Sequence, residues 1–218
     1  MCGPGTGNAG NWFSTRAAGA VRVVNAVPVE QYLRGVVPSE MPGGWRPAAL
    51  EAQAIASRSF AVHAIRPTAA FDLNADTRSQ AYGGVAAETK GSDAAIRSTA
   101  GETLTYGGRV IDAVFAASDG GYTDDVENVW GGARVPYLVR VLDPLDGLSP
   151  MHLWSRAPSF TGARLGRLLG AGGTATAIDV VARGVSPRVV SARVVLASGA
   201  RRVMAGTAIQ MDLGLPST

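Results

Sequence analysis

The first third of the chain combines two hydrophobic patterns. Residues 19–29 are crowded with β-branched side chains, a composition typical of a strand. Pro28 suits the first turn of a helix, and Val29, Leu33 and Val36 then fall on one helical face. The pattern therefore predicts a strand that leads at once into a short helix.

A segment framed by two prolines follows this helix. Pro38 and Pro42 each fix their own backbone and restrict the residue before them, so Val37 and Met41 are expected to be extended. Glu40 lies between the two prolines. We therefore expect a stiff loop that holds one carboxylate.

Helix, loop and turn signals alternate in the middle of the chain. They predict a long helix from Pro47 that stops before Pro67, a loop over residues 71–84 that leads to a short strand, a helix from about Asp93 to Ala100, and two strands joined at Gly107–Gly108. A buried strand at Val114–Ala117 is then expected to enter a glycine-rich loop over residues 118–132.

The last third has the pattern of a β-rich lobe. Thr161 can cap a short helix ending at Gly170, and three strand-like runs follow, with a turn at Ser198–Gly199. We predict the α+β class: a helical and mixed-sheet core with glycine-rich active loops and a C-terminal antiparallel β-lobe. We expect a single domain over residues 1–218, with the core at 19–157 and the lobe at 158–218, and little order over residues 1–18.

Composition excludes several function classes. No run of about 18 apolar residues is present, so we expect no transmembrane segment. The only cysteine, Cys2, cannot form an internal disulfide or a cysteine zinc cluster. The net charge is +3 and nearly all positive charge is arginine, which suits an acidic polymer. The charges are scattered without a basic run, so we expect no nucleic-acid partner.

Six segments carry a more specific signal: VPVEQYLRGVVPSEMP, EAQAIASRSFAV, TRSQAYGG, FAASDGGYTDDVENVWGG, PYLVRVLDP and SPMHLW. In order and spacing they closely resemble the stage II sporulation protein D family, and the closing DLGLPST resembles that family's ending. The resemblance covers residues from about Val24 to Thr218. Family members have more strand before the first helix, so the resemblance implies that this chain is truncated at its N-terminus.

The family contains lytic transglycosylases that cut peptidoglycan glycan strands, notably strands stripped of their peptides, and relatives described as enhancers of cell-wall amidases. The resemblance places the acid/base glutamate of the transglycosylases on Glu40. Some members hold zinc with two cysteines and a histidine, where this chain has residues such as Asn74, Arg78 and Ser79. We therefore expect no zinc and no other cofactor.

One carboxylate is enough for a lytic transglycosylase, because the muramyl C6 hydroxyl attacks C1 and leaves a 1,6-anhydro ring. Glu40 would donate a proton to the leaving oxygen and then accept one from that hydroxyl. The general acid must hold its proton, and a free glutamate has a pKa of about 4.3. We expect burial to raise the pKa of Glu40 through its apolar neighbours, which are Val36, Val37, Pro38, Met41 and Pro42.

The other candidate site residues are substrate-binding ones: Ser39, Arg58, Gln80, Tyr82, Ser118, Asp119, Gly120, Gly121 and Trp130. Three have an alternative role. Arg58 either crosses to a cleft or caps nearby carbonyls, and Asp119 is either a second carboxylate at the sugar or the acceptor for its own turn amides. Trp130 either stacks on a sugar ring or packs in a core.

Three functions remain open. The leading one is a transglycosylase that cleaves the MurNAc–GlcNAc β-1,4 bond with Glu40. The alternatives are a non-catalytic peptidoglycan-binding or amidase-enhancing module, which would partner a cell-wall amidase, and a muramidase that uses Glu40 with Asp119. In each case we expect an extracytoplasmic protein, secreted or associated with the cell wall, whose leader or anchor lies outside this sequence.

Overall fold

Three packed helices form the core of the first part of the chain: α1 (Val29–Glu40), α2 (Pro47–Ala64) and α3 (Lys90–Ser98). The structure, a computed structural model, describes residues 11–17, 19–153 and 158–215. Contacts within the chain divide it into two compact units, one up to Phe115 and one from Ala116 onward. Each unit is described by itself.

Apolar side chains from all three helices meet in one cluster of the first unit. Its buried members are Leu33, Val37, Leu50, Ala54, Ala95 and Ile96. Arg34 on α1 adds a polar link, since its guanidinium donates two hydrogen bonds, of 3.0 and 2.8 Å, to the carboxylate of Asp93 on α3. Burial on this scale is the main source of helix stability in a small unit.

α1 is longer than predicted and contains Pro38 within its last turn. The expectation of a stiff loop was wrong for residues 38–40, because Val37 is fully buried in the helical core and keeps the helical backbone despite the proline that follows it. Met41 has the extended backbone that was expected. The Ser39 hydroxyl donates to the Gly35 carbonyl at 2.8 Å, a local bond that does not replace the N–H donor missing at Pro38. Glu40 is therefore the last residue of a helix.

Two antiparallel hairpins belong to the same unit. β1 (Asn11–Ala17) pairs with β2 (Ala20–Ala26), and β3 (Thr105–Tyr106) pairs with β4 (Arg109–Val110) across Gly107–Gly108. β2 confirms the strand that was predicted within residues 19–29, and the β3–β4 hairpin confirms the turn that was predicted at Gly107–Gly108. The expectation of little order before residue 19 was wrong for Asn11–Ala17, and residues 1–10 and 18 lie outside the described residues.

The segment between α2 and α3 is irregular up to a 3₁₀ turn at Gly84–Ala87, where a short strand was expected. Val114 and Phe115 were expected in a buried strand, but both are exposed and have no strand pairing. Apolar composition alone does not distinguish a strand from an irregular segment when no neighbouring strand is available to pair.

The second unit begins with irregular backbone and ends in a three-stranded sheet. Its elements are α4 (Val126–Val129), a 3₁₀ turn at Asp146–Leu148, α5 (Gly162–Leu168), β5 (Ala175–Arg183), β6 (Val189–Leu196), β7 (Arg201–Ala205) and α6 (Gly206–Leu213). The strands are antiparallel in the order β5–β6–β7, which confirms the predicted meander. Thr161 caps α5, as expected, by accepting a hydrogen bond from the Arg164 N–H.

α5, the sheet and α6 enclose a second apolar cluster, made of Leu169, Ala175, Ala192, Val194, Leu196 and Ile209. α6 was not predicted. The mixture of helices and antiparallel strands confirms the α+β class. The contact-based division at Phe115 differs from the expected boundary at residue 157, and the number of independently folding domains stays a prediction. None of the described helices is long and apolar enough to cross a membrane.

Arg58 on α2 is a structural side chain in this fold. It is only 1% exposed, pairs with both Glu30 carboxylate oxygens at 2.8 Å, and donates to the carbonyls of Ile96 and Glu102. The alternative in which Arg58 caps carbonyls therefore describes it, and its placement in the substrate-binding set is corrected. The guanidinium lies within the helical core because five donors there find acceptors from α1 and from the end of α3.

We predict that Arg58→Ala lowers the free energy of unfolding by about 3 kcal/mol, because it removes the guanidinium from the Glu30 carboxylate and from two carbonyls. Urea denaturation measures the loss. The exposed Arg109→Ala should change stability by no more than about 0.5 kcal/mol. An Arg58→Ala variant of unchanged stability that binds glycan more weakly would instead restore the substrate-binding assignment.

Candidate active site

Glu40 lies at the surface of the first unit, at the C-terminal end of α1. Its Oε1 accepts a hydrogen bond of 3.0 Å from the Ala81 backbone N–H. The nearest arginine before it in sequence, Arg34, is engaged with Asp93 and Glu88, and no ion pair involves Glu40 among the described residues. The carboxylate is therefore held in place without a neutralising cation.

The apolar enclosure expected around Glu40 does not form in this structure. Val36 and Val37 are fully buried in the helical unit, while Glu40 and Pro42 are exposed. The physical reason is the helical continuation of α1: Val37 points from another face of the helix, and Glu40, one turn beyond Val36, is the last residue of the helix and lies past the buried core. The expectation that its sequence neighbours keep Glu40 dry was therefore wrong.

A tyrosine and a glutamine support the backbone segment that binds Glu40. Gln80 is buried; its Oε1 accepts a hydrogen bond from the Tyr32 hydroxyl at 3.2 Å, and its Nε2 donates to the Ser57 carbonyl at 3.5 Å. Gln80 thus holds residues 80–82 in place from the buried side of that segment. Burial raises the pKa of the Tyr32 hydroxyl, and the negative charge of Glu40 raises it further, so Tyr32 stays a proton donor.

Tyr82 brings an aromatic ring to the same place. Its ring stacks on Tyr32, with centroids 5.4 Å apart and planes inclined by 15°. Gly35 permits this approach, because a Cβ at that position would lie 2.6 Å from the Tyr82 ring. The Gly83 N–H donates to the Gly35 carbonyl at 2.9 Å. The absence of a side chain at Gly35 therefore lets α1 and residues 80–83 form one surface around Glu40.

The glycine-rich loop of the second unit contains a separate polar cluster. Asp119 Oδ1 accepts the Gly121 N–H at 2.8 Å, which is the turn-amide alternative for this residue. Burial raises the pKa of the Asp119 carboxyl, and the nearby charges of Asp146 and Asp143 raise it further. Gly120 and Gly121 have φ of +74° and +93°, a backbone region that favours glycine.

Asp146 is the centre of this cluster and was not predicted as a site residue. It is buried and accepts hydrogen bonds from the Ser118 hydroxyl at 2.8 Å and the Asp119 N–H at 2.9 Å. Its Oδ2 contacts His152 Nδ1, and this hydrogen bond is the main cause of the lowered pKa of Asp146, about 2. The Ser118 hydroxyl is thereby engaged in an internal bond, and His152 contacts the same buried carboxylate.

Two segments of the chain contain side chains of the types that bind metal ions. Arg78 forms an ion pair of 2.7 Å with Asp76, and the Ser79 hydroxyl accepts the Asn74 N–H, so this segment does not fit the zinc set of some family members. Asp119, Asp143 and Asp146 each place one carboxylate oxygen within 4.8 Å of the others. Such a set could accept a cation, but the Asp146 carboxylate already accepts hydrogen bonds from three protein groups, and we assign no metal there.

The structure brings together one part of the predicted site. Glu40, Ser39 and Tyr82 share a surface of the first unit. Gln80 is buried beneath it and bonded to Tyr32 and Ser57, so its place in the substrate-binding set is corrected to a supporting one. Asp119, with its neighbours Ser118, Gly120 and Gly121, belongs to the second unit, as does Trp130, whose side chain is 66% exposed beyond α4. Tyr32 also lies in the first group and was not predicted as a site residue. Its position in the EQYL segment, one of the family-like motifs, was the signal that could have identified it.

The helices and antiparallel sheets make this an α+β protein. Its candidate acid/base site is the exposed Glu40 carboxylate at a helix end, which a loop N–H fixes beside an aromatic ring and above a buried amide. The model of the family described as "Stage II sporulation protein" matches residues 17–106. The matched part of the chain belongs to the stage II sporulation protein D family, as its motifs had indicated. All residues of the Glu40 surface fall within this match.

The chain is also similar to individual proteins. The chain is 37% identical over 164 residues to the stage II sporulation protein D of Bacillus subtilis, a match that covers 67% of this chain and 47% of that protein. It is 36% identical over 114 residues to the amidase enhancer of Bacillus subtilis, covering 52% of this chain and 15% of that protein. An uncharacterized protein of Brachyspira hyodysenteriae is 41% identical over 119 residues, covering 53% and 32%. The chain thus spans less than half the length of each of these relatives.

We predict that Asp146→Asn lowers the melting temperature at neutral pH, because the ionised carboxylate accepts three hydrogen bonds in the folded chain. Its folded pKa of about 2 lies below an unfolded value of about 3.9, so the stabilisation is complete above the unfolded value and is lost as the pH falls through about 2. The difference in melting temperature between wild type and variant should therefore narrow on acidification. Thermal unfolding followed by circular dichroism over a pH series measures it.

The matched control is Asp212→Asn, which changes an exposed aspartate of α6. It should leave the melting temperature close to that of wild type throughout the series. A difference for Asp146→Asn that stays constant, or widens, between about pH 4 and pH 2 would contradict the role given to the ionised carboxylate.

Proposed function

We propose that this chain is a peptidoglycan lytic transglycosylase that cleaves the MurNAc–GlcNAc β-1,4 bond of peptide-stripped glycan strands, with Glu40 as its single general acid/base. The observation that carries the proposal is the Glu40 carboxylate itself: exposed, unpaired with any described cation, and aimed by the Ala81 N–H. Membership of the matched region in the stage II sporulation protein D family supports it.

The proposed reaction needs one protein carboxyl. Glu40 donates its proton to the glycosidic oxygen as the bond to the muramyl C1 breaks, and the electron pair of that bond stays on the leaving oxygen. The C6 hydroxyl of the same muramyl residue then attacks C1, and the Glu40 carboxylate takes the proton of that hydroxyl. The attacking group is already attached to the sugar, so the step benefits from proximity and uses no water.

The surroundings of Glu40 suit the proton-accepting half of this cycle, and the proton-donating half depends on the bound strand. The Ala81 N–H binds Oε1 and leaves Oε2 for the substrate, which fixes the direction of proton transfer. Because Glu40 is exposed in the free protein, the strand itself must exclude water from the carboxyl when it binds. Tyr82 supplies an apolar ring beside that place.

The first alternative is a peptidoglycan-binding or amidase-enhancing module without catalysis. The match to the protein named amidase enhancer favours it, and a cell-wall amidase would then be its partner. Under either function the protein would work outside the cytoplasmic membrane, secreted or attached to the wall. The muramidase alternative requires Glu40 and Asp119 to act on one sugar, and the two belong to different units.

The test compares wild type with Glu40→Gln on peptide-stripped glycan strands, with the products identified by mass spectrometry. We expect anhydro-ended fragments from wild type and a loss of about 100-fold or more in their rate for Glu40→Gln, since general acid/base assistance contributes about 100- to 10,000-fold. Glu102→Gln, at another exposed glutamate of the same unit, should keep the wild-type rate.

The other outcomes identify the alternatives. Reducing-end fragments in place of anhydro ends would indicate a muramidase. Wild-type protein that binds the strands and releases no fragments would refute the transglycosylase and favour the binding module. An amidase whose rate rises when the chain is added would support the enhancing role.

A further inference from the structure

A groove of about 670 Å³ lies in the first unit, outside the residues that contact Glu40. It runs between the β1–β2 hairpin, the C-terminal end of α2 and the irregular residues 66–75, and it ends at Tyr32 and Tyr82. The groove size is within the range of about 300–1,000 Å³ that is usual for ligand sites. No residue of the groove except Tyr82 belonged to the predicted site.

Aromatic side chains line this groove and are open to solvent. Trp12 is 63% exposed, and Phe13 and Phe71 are exposed as well. The Arg22 guanidinium lies 5.1 Å from the centroid of the Phe71 ring, which holds that ring in the wall. Large aromatic surfaces left in water are unfavourable for a free protein and typical of a place where a ligand covers them.

Asn25 supplies an amide in the same wall. Its side-chain nitrogen and oxygen are both buried and have no hydrogen-bond partner among the described residues. Asn25 faces Trp12 directly in the β1–β2 register. Buried amides are nearly always paired, so an unpaired donor and acceptor at a groove wall indicate that a polar ligand group pairs with them after the side chain rotates.

The groove is continuous with the surface around Glu40. Tyr82 is a wall residue of the groove and follows Ala81, whose N–H binds Glu40. Tyr32, stacked on Tyr82, also lines the groove. A polymer that crosses Glu40 can therefore continue past Tyr82 into the groove without leaving the first unit.

We propose that this groove is a saccharide subsite that holds the glycan strand on one side of the bond at Glu40. The proposal rests on the proposed function for the identity of the strand. Trp12 and Phe71 would stack on the apolar faces of the sugar rings, and the Asn25 amide would pair with an N-acetyl group. Arg22 and Arg66, the groove's two cations, would attract the lactyl carboxylates of the strand.

The test measures binding separately from catalysis. Calorimetric titration with an N-acetylglucosamine tetramer, and with peptide-stripped glycan strands, is carried out on Glu40→Gln protein, so that no ligand is consumed. Adding Phe71→Ala or Asn25→Ala should weaken the binding of both ligands by about tenfold. Tyr106→Ala, an exposed aromatic outside the groove, serves as the control and should bind as its parent. Circular dichroism melting curves identify any variant that fails to fold.

The outcomes separate this inference from the proposed function. If wild type forms no anhydro ends and yet Phe71→Ala and Asn25→Ala weaken binding, the subsite stands and the transglycosylase falls. If wild type forms anhydro ends while folded Phe71→Ala and Asn25→Ala bind both ligands as Tyr106→Ala does, the subsite is refuted and the catalytic proposal stands. Absence of binding of either saccharide to the Glu40→Gln protein also refutes the subsite.

Discussion

The hydrogen bond from the Ala81 N–H to Glu40 is the interaction on which this account depends. It fixes the direction of the side chain because the donor is a backbone N–H in a segment that other contacts hold in place. Residues 80–83 are fixed in turn by the buried Gln80 and by the bond from Gly83 to the Gly35 carbonyl. α1 and this segment can approach only because Gly35 has no side chain to meet the Tyr82 ring. A helix end and an irregular segment thus form one rigid frame for a single carboxylate.

Elements with strong local signals were predictable from the sequence. α2 begins at Pro47 and ends before Pro67 because proline is favoured in a first helical turn and cannot continue a helix interior. The C-terminal meander follows its β-branched runs. The end of α1 was not predictable by the same rules: the buried core contacts of Val37 override the local preference of a residue before proline. β1 pairs with the adjacent β2 in a local hairpin. α6 depends on remote partners, since Ile209 packs with Leu169 and Ala175.

The site residues that belong to a motif could be predicted from the sequence. The roles of residues whose hydrogen-bond partners are remote in sequence could not. Glu40 lies on one surface with Tyr82, above the buried Gln80, although Glu40 is 40 or more positions from both and the sequence gives no direct measure of their proximity. Arg58 was ambiguous because its acceptors, Glu30 and two carbonyls, are remote in sequence and become neighbours only in the folded helices. Because Glu40 is exposed in the free protein, the bound strand must exclude water from the carboxyl. The aromatic and amide groups around Glu40 matter because they help to hold the strand there.

The most direct measurement is a crystal structure of Glu40→Gln protein with a peptide-stripped glycan strand bound. The account predicts a glycosidic oxygen within hydrogen-bond reach, about 2.6–3.2 Å, of the side chain at position 40, with that side chain still bonded to the Ala81 N–H. A strand bound elsewhere on the chain, with the side chain at position 40 in contact with solvent alone, would contradict the central claim that this carboxylate acts on the sugar bond.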